Sequence, residues 1–88
     1  MPNISIGKVT EIDEVFKTPS NRFIQTITIQ ENDRVDTFLN FYDRNIDLLK
    51  NIHIGDEVQA EYQHYGVKKN GKKITNLIGH GIKKINGR

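Results

Sequence analysis

Residues 35–58, VDTFLNFYDRNIDLLKNIHIGDEV, change period part-way, and that change limits the folds open to the chain. Val35, Thr37, Leu39 and Phe41 alternate with Asp36, Phe38, Asn40 and Tyr42. A period of two is that of a strand with one apolar face. The other face is unusual for one turned to solvent, because Phe38 and Tyr42 are two of its members. After Tyr42 the spacing shifts. Ile46, Leu48 and Leu49 follow Asp43, a candidate N-cap, and point to a short helix. Ile52 and Ile54 lead into Gly55 and Asp56, a turn signal, and Val58 opens a new strand.

The remainder supplies more strands. Ile4 to Phe16 reads as a first strand whose apolar residues (Ile4, Ile6, Val9, Ile12, Val15) do not hold one phase. A bulge or bend is therefore expected, with Gly7 as its candidate site. Residues 17–21 carry loop chemistry. Phe23 to Gln30 is a second strand, with Ile27 and Ile29 inward and Ile24, Thr26, Thr28 and Gln30 outward. Residues 31–34 form a polar turn, and Val35 to Tyr42 is the third strand. Glu57 to Tyr65 is the fourth, with Val58, Ala60 and Tyr62 inward. Residues 66–73 make a hairpin tip around Asn70 and Gly71, a strong two-residue turn signal. Ile74 to Ile85 is the fifth strand. Gly79 and Gly81 within it mark a bend, a bulge or a close backbone approach, and residues 82–88 are expected to fray.

Three strands, a short helix and two more strands predict an all-β chain. The expected fold is a five-stranded Greek-key barrel of the OB type, with its helix between strands 3 and 4. At 88 residues the chain is one expected domain, residues 1–88, with little apolar area to spare. Closing the sheet removes edges at that size. There is no cysteine, so no disulfide framework or thiolate metal site, which fits a reducing cytoplasm. MPNISIG lacks the parts of a signal peptide, and no apolar run reaches the roughly 18 residues of a membrane helix. Charge is uneven. Residues 1–61 hold six Lys/Arg against eleven Asp/Glu, a balance of −5, whereas residues 62–88 hold seven Lys/Arg and no acid. Such a basic end is the footprint expected for a polyanion, or else a solvated basic hairpin.

FYDRNIDLL, IGDEVQAEY and NGKKITNLIGHGI, in that order and spacing, resemble a small bacterial and phage OB-fold family. That family is related to single-stranded DNA-binding proteins and includes domains similar to primosomal replication protein N. Tyr42, Ile46 and Asp47 fill the family's aromatic and "I-D" positions. Gly55, Asp56, Glu57 and Val58 match its "GDEV" turn, and Asn70, Gly71, Thr75 and Asn76 match its hairpin and following strand. The front half matches through Gly7, Lys8 and Val9. Where relatives often carry Trp, this chain has Tyr42. Lys72 and Lys73 stand where a basic and an aromatic residue are common.

Single-stranded DNA binding with little sequence preference is the expected function, protecting exposed strands in replication, recombination or repair. Phe38 and Tyr42 are candidates for stacking bases. At ~3.3 Å per residue they stand ~13 Å apart. A flat ring stacks on any base. Arg22 and Ile24 begin the second strand near the same surface, and Arg22 suits a phosphate or a base face. Tyr65, Lys68, Lys69, Lys72 and Lys73 surround the hairpin between strands four and five, which in this fold borders the binding face. Their ammonium groups would neutralise phosphates and release counterions. One barrel of this kind covers on the order of 4–16 nucleotides, so a homodimer or homotetramer that multiplies contacts is expected. RNA is the other polymer the same platform would seat. The alternative is an OB-fold protein-interaction or assembly module, with the two rings buried against a partner. His53, His64 and His80 lack ligand-like spacing. No Ser–His–acid order, P-loop or GxGxxG occurs, so no enzyme, cofactor or metal is expected.

Overall fold

The computed structural model describes residues 3–85, apart from the side chains of Val67 and Lys69. Six strands form a single sheet: β1 (Asn3–Ile12), β2 (Phe16–Lys17), β3 (Phe23–Asn32), β4 (Val35–Tyr42), β5 (Glu57–Lys69) and β6 (Lys72–Lys84). A 3₁₀ helix, Asp43–Leu49, joins β4 to β5. The order is β1-β5-β6-β4-β3-β2, and an added β1–β3 pairing closes five strands into a barrel. All pairings are antiparallel except β4 with β6, which run parallel at Asn40 and Ile78. This is the OB-type barrel that the strand pattern predicts.

Closure depends on β1 serving two neighbours. Asn3 to Lys8 pair with β5, while Lys8 to Ile12 pair with β3. The register shift falls at Thr10, between Val9 and Glu11, and not at Gly7. What Gly7 provides instead is space, since a Cβ there would lie 2.2 Å from the Gln30 carbonyl oxygen. The glycine lets two backbones close on each other where β1 changes partner.

The core follows the alternation. Val9, Ile27, Ile29, Leu39, Phe41, Val58 and Ala60 are fully buried, and Leu49 and Ile52 join them. Burying one such branched side chain contributes about 1.5–3 kcal/mol. Ile46, Leu49 and Ile52 recur every three residues and all pack on the core. That spacing suits the three residues per turn of a 3₁₀ helix rather than the 3.6 of an α-helix. The turn after it is held on both sides. His53 N donates to Asp56 Oδ2 at 2.7 Å, Gly55 N to the Val9 carbonyl at 2.7 Å, and Val9 N to the Asp56 carbonyl at 2.9 Å.

Several expectations are corrected. Val35 shares the core phase but is 45% exposed, because the Glu31 bulge and the two-residue turn place it past the end of the barrel. Thr28 is buried although it faces outward, between its register partners Phe38 and Glu11. Residues 82–84, at the start of the expected frayed tail, are paired in the sheet with Ala60, Gln59 and Val58, and Ile85 N donates to the Glu57 carbonyl. Residues 86–88 lie outside the described residues. The first strand breaks after Ile12, leaving Phe16 and Lys17 as a separate short strand.

Strands β5 and β6 also run much further than expected, pairing from Val58 and Lys84 to Lys69 and Lys72. Asn70 (φ 53°) and Gly71 (φ 79°) alone make the turn, as a type I′ hairpin requires. Every residue described from His64 to Thr75 is exposed. The hairpin's outer half is therefore an arm beyond the barrel, in a molecule of 42 × 27 × 24 Å.

Ser5 is fully buried in β1, and its hydroxyl has no hydrogen-bond partner among the described residues. An unmet buried hydroxyl is costly. Ser5→Ala should therefore raise unfolding stability by about 1 kcal/mol, read as a higher urea midpoint at unchanged slope.

Candidate nucleic-acid interface

The outer face of β3 and β4 is built from the pairs Ile24 with Tyr42, Thr26 with Asn40, and Thr28 with Phe38. Residues directly opposed on neighbouring strands share a face. Phe38 is 58% exposed. A polar ladder crosses the middle of the face. Thr26 Oγ1 donates to Asn40 Oδ1 at 2.6 Å, Asn40 Nδ2 donates to Asn76 Oδ1, and Asn76 Nδ2 donates to the Tyr42 hydroxyl at 2.9 Å. Three strands thereby hold the half-buried Tyr42 ring in one orientation. Asn40 and Asn76 are the residues that sequence reasoning missed. The one signal was asparagine at two positions inside strands, where its propensity is low.

At the end of β4 the ring meets a cation. The Arg22 guanidinium lies 4.7 Å from the Tyr42 ring centroid, within cation–π range. Arg22 Nε donates to Asp43 Oδ2 at 3.0 Å, and Phe23 N donates to Asp43 Oδ1 at 3.1 Å. Asp43 does not cap the helix as expected. Tyr42 occupies the N-cap with extended backbone and no side-chain cap bond, and Asp43 sits at φ 49° with its carboxylate turned to β3. The Phe23 amide, and then Arg22, hold the Asp43 carboxyl below the ordinary carboxylate range. The Arg22 side chain is 56% exposed, so a molecule arriving over Tyr42 meets the guanidinium before the ring. Ile24 is half-buried beside it.

The arm continues this face. Tyr65 opposes Asn76 in register, is 42% exposed, and donates to Gln63 Oε1 at 2.7 Å. Lys72 shares the phase of Asn76, and so lies on the Tyr65 side. Lys68 and Lys73 oppose one another on the reverse side. There they flank a shallow groove of about 220 Å³ lined also by Gly66, Ile74 and Thr75. The side chain of Lys69, the fourth expected lysine, lies outside the described residues. Like charges placed directly opposite destabilise a hairpin. Among the described residues, no acid pairs with Lys68, Lys72 or Lys73. The structure thus brings Arg22, Ile24, Phe38, Tyr42 and Tyr65 onto one continuous face and divides the lysines between two. Among the described residues, no three His, Asp or Glu side chains converge as metal ligands would, and no helix is long and apolar enough to cross a membrane.

No family model matches the chain, and no curated protein matches it. Among solved structures it is similar to the crystal structure of a mitochondrial single-stranded DNA-binding protein from S. cerevisiae, Rim1. The likeness covers 97% of this chain and 95% of that one, with a TM-score of 0.65 and 15% sequence identity. At that identity the likeness establishes the OB-type fold.

Proposed function

We propose that the protein binds single-stranded DNA with little sequence preference, on the outer face of β3 and β4 and along the β5–β6 arm. The observation that carries this reading is the Phe38 ring, open to solvent in line with Tyr42 on a sheet face that ends in a basic arm. Bases stack on Phe38 and on the Arg22–Tyr42 pair, and the arm lysines meet phosphates. The similarity in fold to a strand-binding protein agrees with it. Such binding would protect exposed strands in replication, recombination or repair, in a bacterium or a phage, and a homodimer or homotetramer would widen the footprint.

Titration with fluorescent oligo-dT tests the reading. Tyr42→Ala should weaken binding by about 1–3 kcal/mol at every salt concentration, because stacking is not screened as charge pairs are. Equal affinity for duplex and single strands would exclude stacking as the source of binding. Competition with oligo-U separates DNA from RNA.

A second reading has its own observation. Ile4 and Ile6, on the outer side of β1, are 50% and 51% exposed, which suits a protein-interaction or assembly module. Salt-insensitive self-association with no oligonucleotide binding would favour that module over strand binding.

A further inference from the structure

Phe16 has no sequence signal beyond its place at the end of an apolar run, yet the fold puts it in line with the candidate face. In β2 it opposes Ile24, and Ile24 opposes Tyr42. Opposed residues share a face, so Phe16, Ile24 and Tyr42 form one row across three strands. At ~4.8 Å per strand, Phe16 stands ~10 Å from Tyr42, close to the ~13 Å that separates Tyr42 from Phe38 along β4. Phe16 is 59% exposed, as open as Phe38. Phe23, the other exposed ring nearby, has the opposite phase and lies under Lys17 Nζ at 5.9 Å.

The ring is carried on a braced hairpin. Thr18 N donates to the Arg22 carbonyl at 2.7 Å, Asn21 N to the Thr18 carbonyl at 3.0 Å, and Arg22 N to Thr18 Oγ1 at 3.1 Å. Asp43 ties the far side of the hairpin to the end of β4 through Phe23 N and Arg22 Nε. Upstream, Asp13 N donates to the Thr26 carbonyl, and Gln25 Nε2 donates to the Asp13 carbonyl, both at 2.9 Å. A flat apolar ligand would therefore find the ring already placed, with little ordering left to do. Charge chooses among such ligands. Asp13 and Glu14 precede Phe16 in the chain, whereas Lys17 follows it and Arg22 closes the hairpin beyond, so an anionic chain is favoured with its backbone towards the Lys17 and Arg22 end and a neutral flat group over Phe16. A single-stranded nucleic acid has that chemistry.

We infer that Phe16 is a third base-stacking position, and that a bound strand turns at Tyr42 to cross β3 and β2 rather than leaving along β4. This rests on the strand-binding reading above. It is tested by titrating labelled oligo-dT of ~4 and ~12 nucleotides with the wild type, Phe16→Ala, Phe16→Leu and Phe16→Tyr at one salt concentration. Phe16→Ala and Phe16→Leu should weaken the longer oligonucleotide by about 5- to 150-fold, the range for one stacked base. Phe16→Tyr should restore it, the shorter oligonucleotide should be unaffected, and melting temperatures should coincide. Unchanged affinity of Phe16→Ala for the longer oligonucleotide, with the wild type binding it, overturns the third position alone. So does a change in oligomeric mass without a change in affinity, which would assign Phe16 and the open edge of β2 to a protein contact. A wild type that binds neither oligonucleotide overturns both readings.

Discussion

Gly7→Ala should lower unfolding stability by about 3 kcal/mol, the upper end for forcing one methyl into packed space. For a chain of this size that is roughly 12–24 °C in melting temperature. The added Cβ would stand 2.2 Å from the Gln30 carbonyl oxygen and 2.8 Å from its carbon. Both are backbone atoms of β3, so no rotamer change relieves the clash. Relief requires β1 and β3 to part where the barrel closes. Gly66→Ala is the control. It also lies in a strand, but nothing stands within 4 Å of its new Cβ, and it should leave the melting temperature nearly unchanged. Equal melting of Gly7→Ala and the wild type would mean that β1 does not approach β3 so closely in solution.

Replacing Lys68, Lys72 and Lys73 together by Gln should cut the salt dependence of oligo-dT binding by about 2, at about 0.7 for each lost phosphate contact on a single strand. Between 50 and 200 mM salt the wild type should then lose roughly 20-fold more affinity than the variant. Folding should be unharmed or slightly improved. These side chains are exposed, and Lys68 and Lys73 oppose one another without an acid partner among the described residues. Because these lysines occupy both sides of the arm, a strand that uses all three must pass around its tip or one of its edges. Lys72→Gln alone should then remove about one third of the effect. An unchanged slope in the triple variant would show that the arm does not touch phosphate and that the basic hairpin serves solubility.

Sequence reasoning reached those lysines because a turn signal and a charge count are local. It reached Phe38 and Tyr42 because alternation assigns faces. It did not single out Asn40, Asn76 and Phe16, whose place on that face comes from what lies across a strand pairing. Asn76 touches Tyr42 from 34 positions away, and no periodicity within either strand contains that contact. Asp43 departs from expectation for a related reason. Its type suits an N-cap, but a left-handed backbone turns its carboxylate to Arg22 and Phe23.

The amino-acid order by itself determined the five strands of the barrel though not their ends, the inward phase of Ile27, Ile29, Leu39, Phe41, Val58 and Ala60, and the Asn70–Gly71 turn. All of these follow from interactions within a few residues. Only the tertiary structure decided where β1 passes from β5 to β3, how far the arm extends, and which rings share a face. Those depend on register between distant segments. Register is set by the sum of packing and backbone hydrogen bonds over the closed barrel, and by close approaches such as Gly7 on Gln30 and Gly79 on the Phe41 ring.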